Sequence, residues 1–328
     1  MPTTSPDIAL IGAGRWGRHL VRNLADLGRL AAVVDTDPDA LARVTRRHPG
    51  VATLASLDAA LALPQVRAVA LATPTPLHHP MARAALEATH HVFVEKPMTL
   101  SLAHAEELTR LAEARDLLLF TGHQLEYHPA FVALARHADA GHLGEVRHVA
   151  CDRVALGRPR EAASALWDLA AHDVGVAITL MGEPPRQVSA TQGGWLEPAR
   201  VVEATCALSF SGGRRAVSRV SWLHPTKAQR LTVVGTRATA VFDDVAAQDA
   251  KLTRYAHAPG GDGPATPEPL PYTWREPLLA ECEAFIAAID GDRSAARTGR
   301  RYGRAVVAAL DAAERSAQRG GAPVALDL

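Results

Sequence analysis

The sequence has few of the features that mark secreted or disulfide-rich proteins. It contains only 3 cysteines, Cys151, Cys206 and Cys282, which are widely spaced and form no CxxC pair. Such sparse thiols are typical of a reduced compartment. The N-terminus also lacks the basic region and the apolar stretch of a signal peptide. We therefore expect a cytoplasmic protein.

Long hydrophobic runs and net charge are missing as well. No apolar run approaches the roughly 20 residues that cross a bilayer, so we expect no membrane contact. Lys+Arg and Asp+Glu number 35 each, and this balance gives no reason to expect nucleic acid as a partner. The 328 residues are 48% hydrophobic, which is enough to build a substantial core in one large or two ordinary domains.

The first part of the chain alternates short apolar runs with helical patterns. This alternation predicts βαβ units and a parallel sheet. The apolar runs are Ile8–Ile11, Leu30–Val34, Ala68–Ala72, His91–Val94 and Leu117–Thr121. The helical patterns between them are Arg15–Leu27, Pro38–Arg47, Leu77–Ala88 and Leu102–Arg115.

The pattern changes near Gly122, where we place a domain boundary. After a long helix at Leu166–Met181, β-type segments follow one another without helices between them, from Gln187 to Tyr255. This order predicts an α+β domain with a large open, mostly antiparallel sheet and the long helix on one face. Ala258–Pro271 is rich in Pro and Gly and predicts an exposed loop. Two helices close the chain, and the last one could pack on the first domain.

A glycine-rich motif follows the first apolar run directly. Gly12-Ala13-Gly14-Arg15-Trp16-Gly17 matches GxGxxG and lies between a predicted strand and a predicted helix. The first glycine permits a tight turn, the second lets the backbone approach a pyrophosphate, and the third allows close packing of helix on strand. The alternative is a simple turn. In this context the motif predicts a doubly wound Rossmann domain over residues 1–122, followed by a substrate and oligomerisation domain over 123–328.

An acidic residue ends the second predicted strand. Asp35 lies where a carboxylate meets the ribose hydroxyls of the adenosine. Because a carboxylate repels a 2′-phosphate and no Arg directly follows Asp35, the sequence favours NAD over NADP. The alternative is that Asp35 caps a loop.

The loop after the Ala68–Ala72 run is predicted to line the cofactor cleft. It reads Thr73-Pro74-Thr75-Pro76, and ligands of doubly wound sheets lie beyond the carboxyl ends of the strands. A rigid proline turn before a helix is the other interpretation, and both can hold. His78 and His79 follow, but adjacent helical histidines diverge, so we expect no metal site.

Glu95-Lys96-Pro97 comes directly after another apolar run, His91–Val94. A lysine at this end of a parallel sheet lies at the cleft, where its charge can act on a substrate oxygen. A loop lysine is otherwise a solvated surface charge, and position alone leaves the two interpretations open.

Together these motifs resemble the Gfo/Idh/MocA family of oxidoreductases, and the resemblance covers nearly the whole chain. It implies that Lys96 contacts both substrate and nicotinamide, and that a cis bond before Pro97 is plausible. The segments that carry it are Gly12–Gly17, Asp35, Ala72–Pro76 with His78, Glu95–Pro97, Gly122–Pro129 and Trp167–Asp173. From the first four of these segments we expect the following residues to bind the cofactor: Gly12, Gly14, Arg15, Trp16, Gly17, Asp35, Thr73, Pro74, Thr75, His78, Glu95 and Lys96.

The resemblance places Asp168 and His172 at the acid–base positions of the family. Four residues apart on a predicted helix, they would share one face. Oxidation of an alcohol by NAD also removes a hydroxyl proton, which imidazole can accept near neutral pH. Asp168 would orient His172, and Lys96 would stabilise alkoxide charge. Without the family match, an Asp–His pair on a helix surface is the alternative.

The substrate class stays open between nucleotide sugars and free sugars or cyclitols. Leu156-Gly157-Arg158 resembles nucleotide-sugar members, whereas Asp168 is more like the cyclitol and free-sugar dehydrogenases. We expect Gln124, Tyr127, Arg158 and Trp167 to contact substrate. We place His123 and His128 beside them at the edge of the pocket. The alternative is that His123, Gln124, Tyr127 and His128 cap the entry to the next helix, and Arg158 could equally be an exposed loop charge.

Relatives imply a homodimer or homotetramer. Two rival functions are a non-catalytic NAD-sensing regulator and a glycoside-processing enzyme with tightly bound NAD. Retention of the predicted catalytic residues Lys96, Asp168 and His172 argues against the regulator.

Overall fold

A computed structural model describes residues 5–157, 164–194, 201–257 and 266–328, which divide into two units. The first unit combines Met1–Gln124 with Glu276–Arg304, and the second combines Leu125–Arg275 with Ala305–Leu328. The sequence-based division at residue 122 instead assigns Glu276–Arg304 to the second domain. Each unit contains one β-sheet.

The first unit contains a six-stranded sheet, within the described residues, in which all neighbouring strands are parallel. The strand order is β3-β2-β1-β4-β5-β6, which confirms the predicted doubly wound fold. Most of its strand residues are buried, and this explains their continuous apolar runs. The strands are β1 (Ile8–Ile11), β2 (Leu30–Val34), β3 (Ala52–Leu54), β4 (Ala68–Leu71), β5 (His91–Glu95) and β6 (Leu119–Gly122).

Several helices begin at capping side chains or prolines. The Asp37 carboxylate accepts a hydrogen bond from the Asp39 N–H at 2.9 Å, and Pro38 occupies the first helical position after it. The described α-helices are α1 (Gly17–Asp26), α2 (Pro38–Arg47), α3 (Leu57–Leu61), α4 (His78–Glu87), α5 (Leu102–Ala114), α6 (Pro129–Asp139), α7 (Ala171–Met181), α8 (Pro277–Ile289) and α9 (Arg300–Gln318).

The second unit contains a nine-stranded sheet in its described residues, with the order β14-β13-β12-β11-β7-β10-β9-β8-β15. The β7–β10 pairing is parallel and the other pairings are antiparallel, as predicted for an open, mostly antiparallel sheet. The strands are β7 (Val146–Leu156), β8 (Gln187–Gly193), β9 (Glu203–Ser209), β10 (Arg215–Ser221), β11 (Leu223–Gly235), β12 (Ala238–Asp243), β13 (Leu252–Ala256), β14 (Pro267–Pro269) and β15 (Val324–Ala325).

The loop prediction for Ala258–Pro271 is wrong in its second half. Pro267–Pro269 forms β14, which pairs with Thr253–Tyr255 of β13. Proline cannot donate to a strand ladder, so a strand of this composition is tolerated at a sheet edge. Residues 258–265 lie outside the described part of the chain.

Helix α8 joins the core of the first unit. The Phe285 ring lies edge-on to Phe93 of β5 and to Phe120 of β6, with ring centroids 5.5 Å apart in both pairs. All three rings are almost fully buried. Aromatic burial and edge-to-face packing therefore attach this late segment to the sheet.

An ion network fixes the end of α8 to the start of β1. Arg29 is 3% exposed and donates to both Asp7 oxygens, at 2.8 and 2.9 Å, and to both Asp290 oxygens, at 2.6 and 3.0 Å. Arg67 adds bonds of 2.8 Å to each carboxylate. Hydrogen bonds from Arg29, followed by those from Arg67, lower the pKa of Asp290.

Asp7→Asn should lower the free energy of unfolding by about 3 kcal/mol, because the buried Arg29 charge loses a partner. Asp290 also contributes to the free energy of unfolding, because its pKa is lower in the folded protein than in the unfolded chain. This stabilisation is fully present above the ordinary pKa of an aspartic acid and is lost as pH falls through the lower folded pKa. Urea unfolding of wild type and of Asp7→Asn at neutral pH would measure the difference in the free energy of unfolding. The exposed Asp58→Asn serves as control, with an expected change within about 0.5 kcal/mol. Equal losses in both variants would contradict a special role for the network.

Within the described residues, no helix combines the length and the apolarity needed to cross a membrane. Cys151, Cys206 and Cys282 are buried free thiols.

Candidate active site

The glycine-rich loop leaves one side of its backbone open. Gly12 has φ +95°, and a Cβ there would lie 2.8 Å from the Ala72 carbonyl oxygen. A Cβ on Gly17 would lie 1.9 Å from the Gly12 carbonyl oxygen. By contrast, nothing in the described structure lies within 4 Å of a Cβ on Gly14. The fold itself requires glycine at 12 and 17, whereas the open side of Gly14 fits a phosphate that approaches the backbone.

Asp35 fastens this loop to the end of β2. Its Oδ2 accepts a hydrogen bond from the Ala13 N–H at 2.6 Å, and its Oδ1 accepts one from the Asp37 N–H at 2.9 Å. The side chain is partly exposed. Asp35 therefore caps a loop, as the alternative interpretation held, and also presents a carboxylate beside the loop.

A positively charged cavity of about 630 Å³ opens beside Gly14, between α1 and α2. Positive charge concentrated in a cavity attracts phosphates. Within the described residues, Arg15, Arg18 and Arg47 make no ion pair. Five of the lining residues are arginines, namely Arg15, Arg18, Arg22, Arg43 and Arg47.

His78 connects the loop after β4 to the loop after β5. Its Nε2 lies 2.9 Å from the Thr73 carbonyl oxygen and its Nδ1 lies 3.0 Å from the Pro97 carbonyl oxygen. The ring is 1% exposed. Burial, and to a smaller extent the charge of Lys96, lowers the pKa of His78, whereas the two carbonyl contacts raise it. The ring therefore supports both loops, and its contact with a cofactor stays a prediction. Thr73–Pro74 precedes a 3-10 turn over Thr75–Leu77.

The Glu95–Pro97 segment is held in place by Trp16. The Trp16 Nε1–H donates to Glu95 Oε1 at 2.5 Å, and the Lys96 N–H donates to Glu95 Oε2 at 3.3 Å. The Lys96–Pro97 bond is cis, as the family resemblance implied. Trp16, predicted as a cofactor residue, thus joins the glycine-rich loop to the Glu95–Pro97 segment through the Glu95 carboxylate.

His123 at the end of β6 is buried against Tyr302 of α9, with ring centroids 5.1 Å apart. Burial, followed by the charge of Lys96, lowers the pKa of His123 to about 3, so its ring is neutral. Sequence reasoning did not identify Tyr302, because a residue this far along the chain gives no local signal.

The residues after His123 support the start of α6. Gln124 and Tyr127 bound a 3-10 turn, in which Gln124 is partly exposed and Tyr127 is 7% exposed. His128 accepts a hydrogen bond from the Ala130 N–H at 3.1 Å through Nδ1, and so caps α6. This contact agrees with the capping alternative for His128. The substrate contacts of Gln124 and Tyr127 stay predictions.

The helix that carries Asp168 and His172 is not regular. Leu166–Ala170 forms a π-helical turn, and α7 begins at Ala171. A spacing of four residues places side chains on one face of an α-helix, but a π turn is wider. The expectation of one continuous α-helix is therefore wrong here. Asp168 is 4% exposed and His172 is partly exposed.

Asp173, directly after His172, anchors the first turn of α7 to the sheet. It accepts hydrogen bonds from Arg153 Nε at 2.9 Å and from Ser218 Oγ at 2.8 Å. Burial raises the pKa of Asp173, while Arg153 and Ser218 act in the opposite direction. Sequence reasoning missed this residue, although an acidic residue next to the proposed base was a usable signal.

Two predicted substrate residues remain, Trp167 and Arg158. Trp167 is 4% exposed, and its Nε1–H donates to Glu314 Oε2 at 3.3 Å. Arg158 lies outside the described residues. In the described part of the chain, no cluster of three His, Cys, Asp or Glu side chains could hold a metal ion.

A doubly wound sheet with this glycine loop defines a nucleotide-binding Rossmann domain. Residues 7–123 match the NAD-binding Rossmann fold of the Gfo/Idh/MocA oxidoreductase family, and residues 131–241 match the C-terminal domain of that family. The chain therefore belongs to the Gfo/Idh/MocA oxidoreductases, and its first domain binds NAD(P).

Known relatives extend over nearly the whole chain. A UDP-N-acetylglucosamine 3-dehydrogenase from Acidithiobacillus ferrooxidans is 31% identical over 311 residues, covering 92% of this chain and 94% of the relative. An inositol 2-dehydrogenase from Rhizobium meliloti is 27% identical over 327 residues, covering 94% and 95%. The crystal structure of GenD2 from gentamicin A biosynthesis, in complex with NAD, has a TM-score of 0.84 and 27% identity, covering 99% of this chain and 97% of that one.

Proposed function

We propose that this protein is an NAD-dependent dehydrogenase or reductase acting on a hydroxyl carbon of a sugar, cyclitol or nucleotide sugar. The observation that carries the proposal is the arrangement at the carboxyl ends of β1, β2 and β5. There the open Gly14 backbone, the Asp35 carboxylate and the Glu95–Lys96 segment belong to one unit. The activities named for the two curated relatives support the substrate class.

The cofactor would be held by the glycine loop and by Asp35. Backbone N–H groups near Gly14 would bind the pyrophosphate, helped by the positive charge of Arg15. Asp35 would accept hydrogen bonds from the adenosine ribose and would repel a 2′-phosphate, which favours NAD over NADP. When bound, the nicotinamide supplies the hydride acceptor or donor.

Three side chains would act on the substrate. The Lys96 ammonium would stabilise negative charge developing on the reacting oxygen. The His172 imidazole would accept the hydroxyl proton during oxidation and return it during reduction. Asp168 would orient that imidazole. The hydrogen bonds that Asp173 accepts from Arg153 and Ser218 would fix the helical turn that carries it. Gln124, Tyr127, Arg158 and Trp167 are proposed to contact the rest of the substrate.

We also propose a homodimer or homotetramer in a reducing, cytoplasmic compartment. The three buried free thiols support the compartment. The assembly was inferred from relatives, and the mass of the purified protein in solution would test it.

A substrate screen tests the function. Purified protein is incubated with inositols, free sugars and nucleotide sugars, together with NAD or NADP, and reduced cofactor is followed by its absorbance. We expect turnover with at least one substrate and a kcat/KM at least about tenfold higher with NAD, from charge repulsion at Asp35. Asp35→Ser should remove this preference.

The other outcomes separate the rival functions. NAD binding without turnover across the panel would contradict an oxidoreductase role and favour a sensor. Cofactor that co-purifies with the protein and is not consumed would favour a glycoside-processing enzyme.

A further inference from the structure

The positively charged cavity beside Gly14 contains more arginines than the proposed cofactor contacts use. The pyrophosphate of NAD is proposed to bind the Gly14 backbone and Arg15. Four further arginines line the same cavity, two from each helix: Arg18 and Arg22 of α1, and Arg43 and Arg47 of α2. Among the described residues that line the cavity, none is an Asp or a Glu. The cavity therefore has an excess of positive charge next to the proposed cofactor site.

The spacing of these arginines gives the cavity the form of a groove with charged walls. On each helix the two arginines are four residues apart, so they lie on one helix face, about 6 Å apart along the helix axis. The buried apolar side chains of Val21, Ala40 and Val44 line the same groove. Guanidinium groups in such an array can pair with several phosphates of one ligand.

Part of this positive charge has no counter-charge in the protein. Arg18 and Arg47 make no ion pair within the part of the chain that the structure describes. The other two arginines have exposed acidic partners that do not line the cavity: Glu276 for Arg22 and Asp37 for Arg43. Because like charges around one groove repel each other, an anion that enters the groove would relieve this repulsion.

The groove extends away from the proposed cofactor contacts. Nucleotide cofactors of doubly wound sheets lie beyond the carboxyl ends of the strands. Helices α1 and α2 begin at that edge of the sheet, because they follow β1 and β2, and they run back toward the opposite edge. Arg47 is the last residue of α2, and Asp35, the proposed partner of the ribose, does not line the cavity. The groove can therefore hold an anion while NAD occupies the glycine-rich loop.

We propose that the groove between α1 and α2 is a second anion site, which binds a small molecule with a chain of phosphates and weakens NAD binding by charge repulsion. Its volume of about 630 Å³ suits a small molecule, since ligand pockets measure about 300–1,000 Å³. The chain of phosphates belongs to an inorganic polyphosphate or to a nucleoside triphosphate. The anion site itself is independent of the proposed function, whereas its effect on NAD rests on the proposed position of the pyrophosphate.

A calorimetric titration with inorganic tripolyphosphate, at constant ionic strength and without NAD or substrate, tests the site. Wild type should bind tripolyphosphate more tightly than orthophosphate. The double variant Arg18→Gln/Arg47→Gln should raise the Kd for tripolyphosphate at least about tenfold, because two charge-assisted contacts are lost. Both arginines are exposed, so the variant should fold.

Arg46→Gln is the matched control. Arg46 is exposed and lies in the same last turn of α2 as Arg47, but it does not line the groove. It should leave the Kd for tripolyphosphate within about twofold of wild type. A titration with ATP distinguishes the two sources of the phosphate chain. Tighter binding than tripolyphosphate indicates a nucleotide, equal or weaker binding indicates an inorganic polyphosphate, and the arginine double variant should weaken either one.

A second titration measures the effect on the cofactor. With increasing tripolyphosphate, the Kd for NAD should rise about fivefold to tenfold and then level off, as expected for two coupled sites. In the double variant the Kd for NAD should match wild type without tripolyphosphate and respond less to its addition.

Several results would overturn the second site. Tripolyphosphate that does not bind, or that binds no more tightly than orthophosphate, would indicate an adventitious ion only. A double variant that binds tripolyphosphate like wild type would remove the arginines from the site. A Kd for NAD that rises without levelling off would indicate one shared site, and a selective loss of NADP affinity in the double variant would assign the arginines to a 2′-phosphate. A wild type without turnover would reject the proposed function while the first titration still decides on the groove.

Discussion

Lys96→Met should lower kcat/KM by about 10²–10³-fold, the usual cost of removing one group that stabilises developing oxyanion charge. Methionine keeps an unbranched apolar stem of similar length but carries no ammonium group. The affinity for NAD should stay within about threefold, because the dinucleotide is proposed to be held by Gly12–Gly17 and Asp35. Steady-state kinetics and a calorimetric titration with NAD would measure the two effects separately.

The matched control is Lys227→Met, because Lys227 is an exposed lysine on β11. It should leave kcat/KM within about twofold of wild type, as surface changes do. Wild-type rates in Lys96→Met, or an equal loss in both variants, would remove Lys96 from the proposed chemistry.

His172→Gln should lower kcat/KM by about 10²–10⁴-fold, the range expected when a general acid or base is removed. Glutamine retains polarity but cannot take up a proton near neutral pH. In wild type, kcat/KM for oxidation should fall as pH decreases and the imidazole becomes protonated. The glutamine variant should lack this limb, which a pH series of kcat/KM for alcohol oxidation would show.

His148→Gln provides the comparison, since His148 is a partly exposed histidine of β7 in the same unit. Its pH profile should match wild type. If His172→Gln keeps both the wild-type rate and the acid limb, another group must accept the proton.

The fold was largely predictable because its strongest signals are local. Buried parallel strands such as Leu30–Val34 give continuous apolar runs, and the glycine spacing of Gly12–Gly17 indicates the first strand–turn–helix unit. Short elements were missed. Ala52–Leu54 and Leu57–Leu61 have too few residues for a periodic pattern, and the proline content of Pro267–Pro269 resembles a loop.

Long-range packing could not be predicted from one sequence. The pattern of Glu276–Ile289 predicts a helix but does not say which sheet Phe285 will contact. The π turn at Leu166–Ala170 is a shift of hydrogen-bond partners by one residue, and side-chain periodicity does not reveal it.

The sequence indicates the motif residues of the candidate site, but it does not indicate the residues that hold them in place. Lys96 and Asp35 lie at strand ends, where motif and topology both indicate function. Asp173 is held by hydrogen bonds from residues distant in sequence, Arg153 and Ser218. A single sequence contains no record of such pairings.

Phe285 is translated long after Phe93 and Phe120, the core residues that its ring contacts, and this order has a consequence for biosynthesis. A ribosome that has made residues up to Gln124 has produced every strand of the first sheet, but Phe93 and Phe120 still lack the ring that covers them. The nascent chain therefore leaves this apolar surface without its Phe285 cover through about half of translation, when chaperones can bind it. For the same reason, a fragment intended to isolate this unit needs Pro277–Ile289 fused to its end.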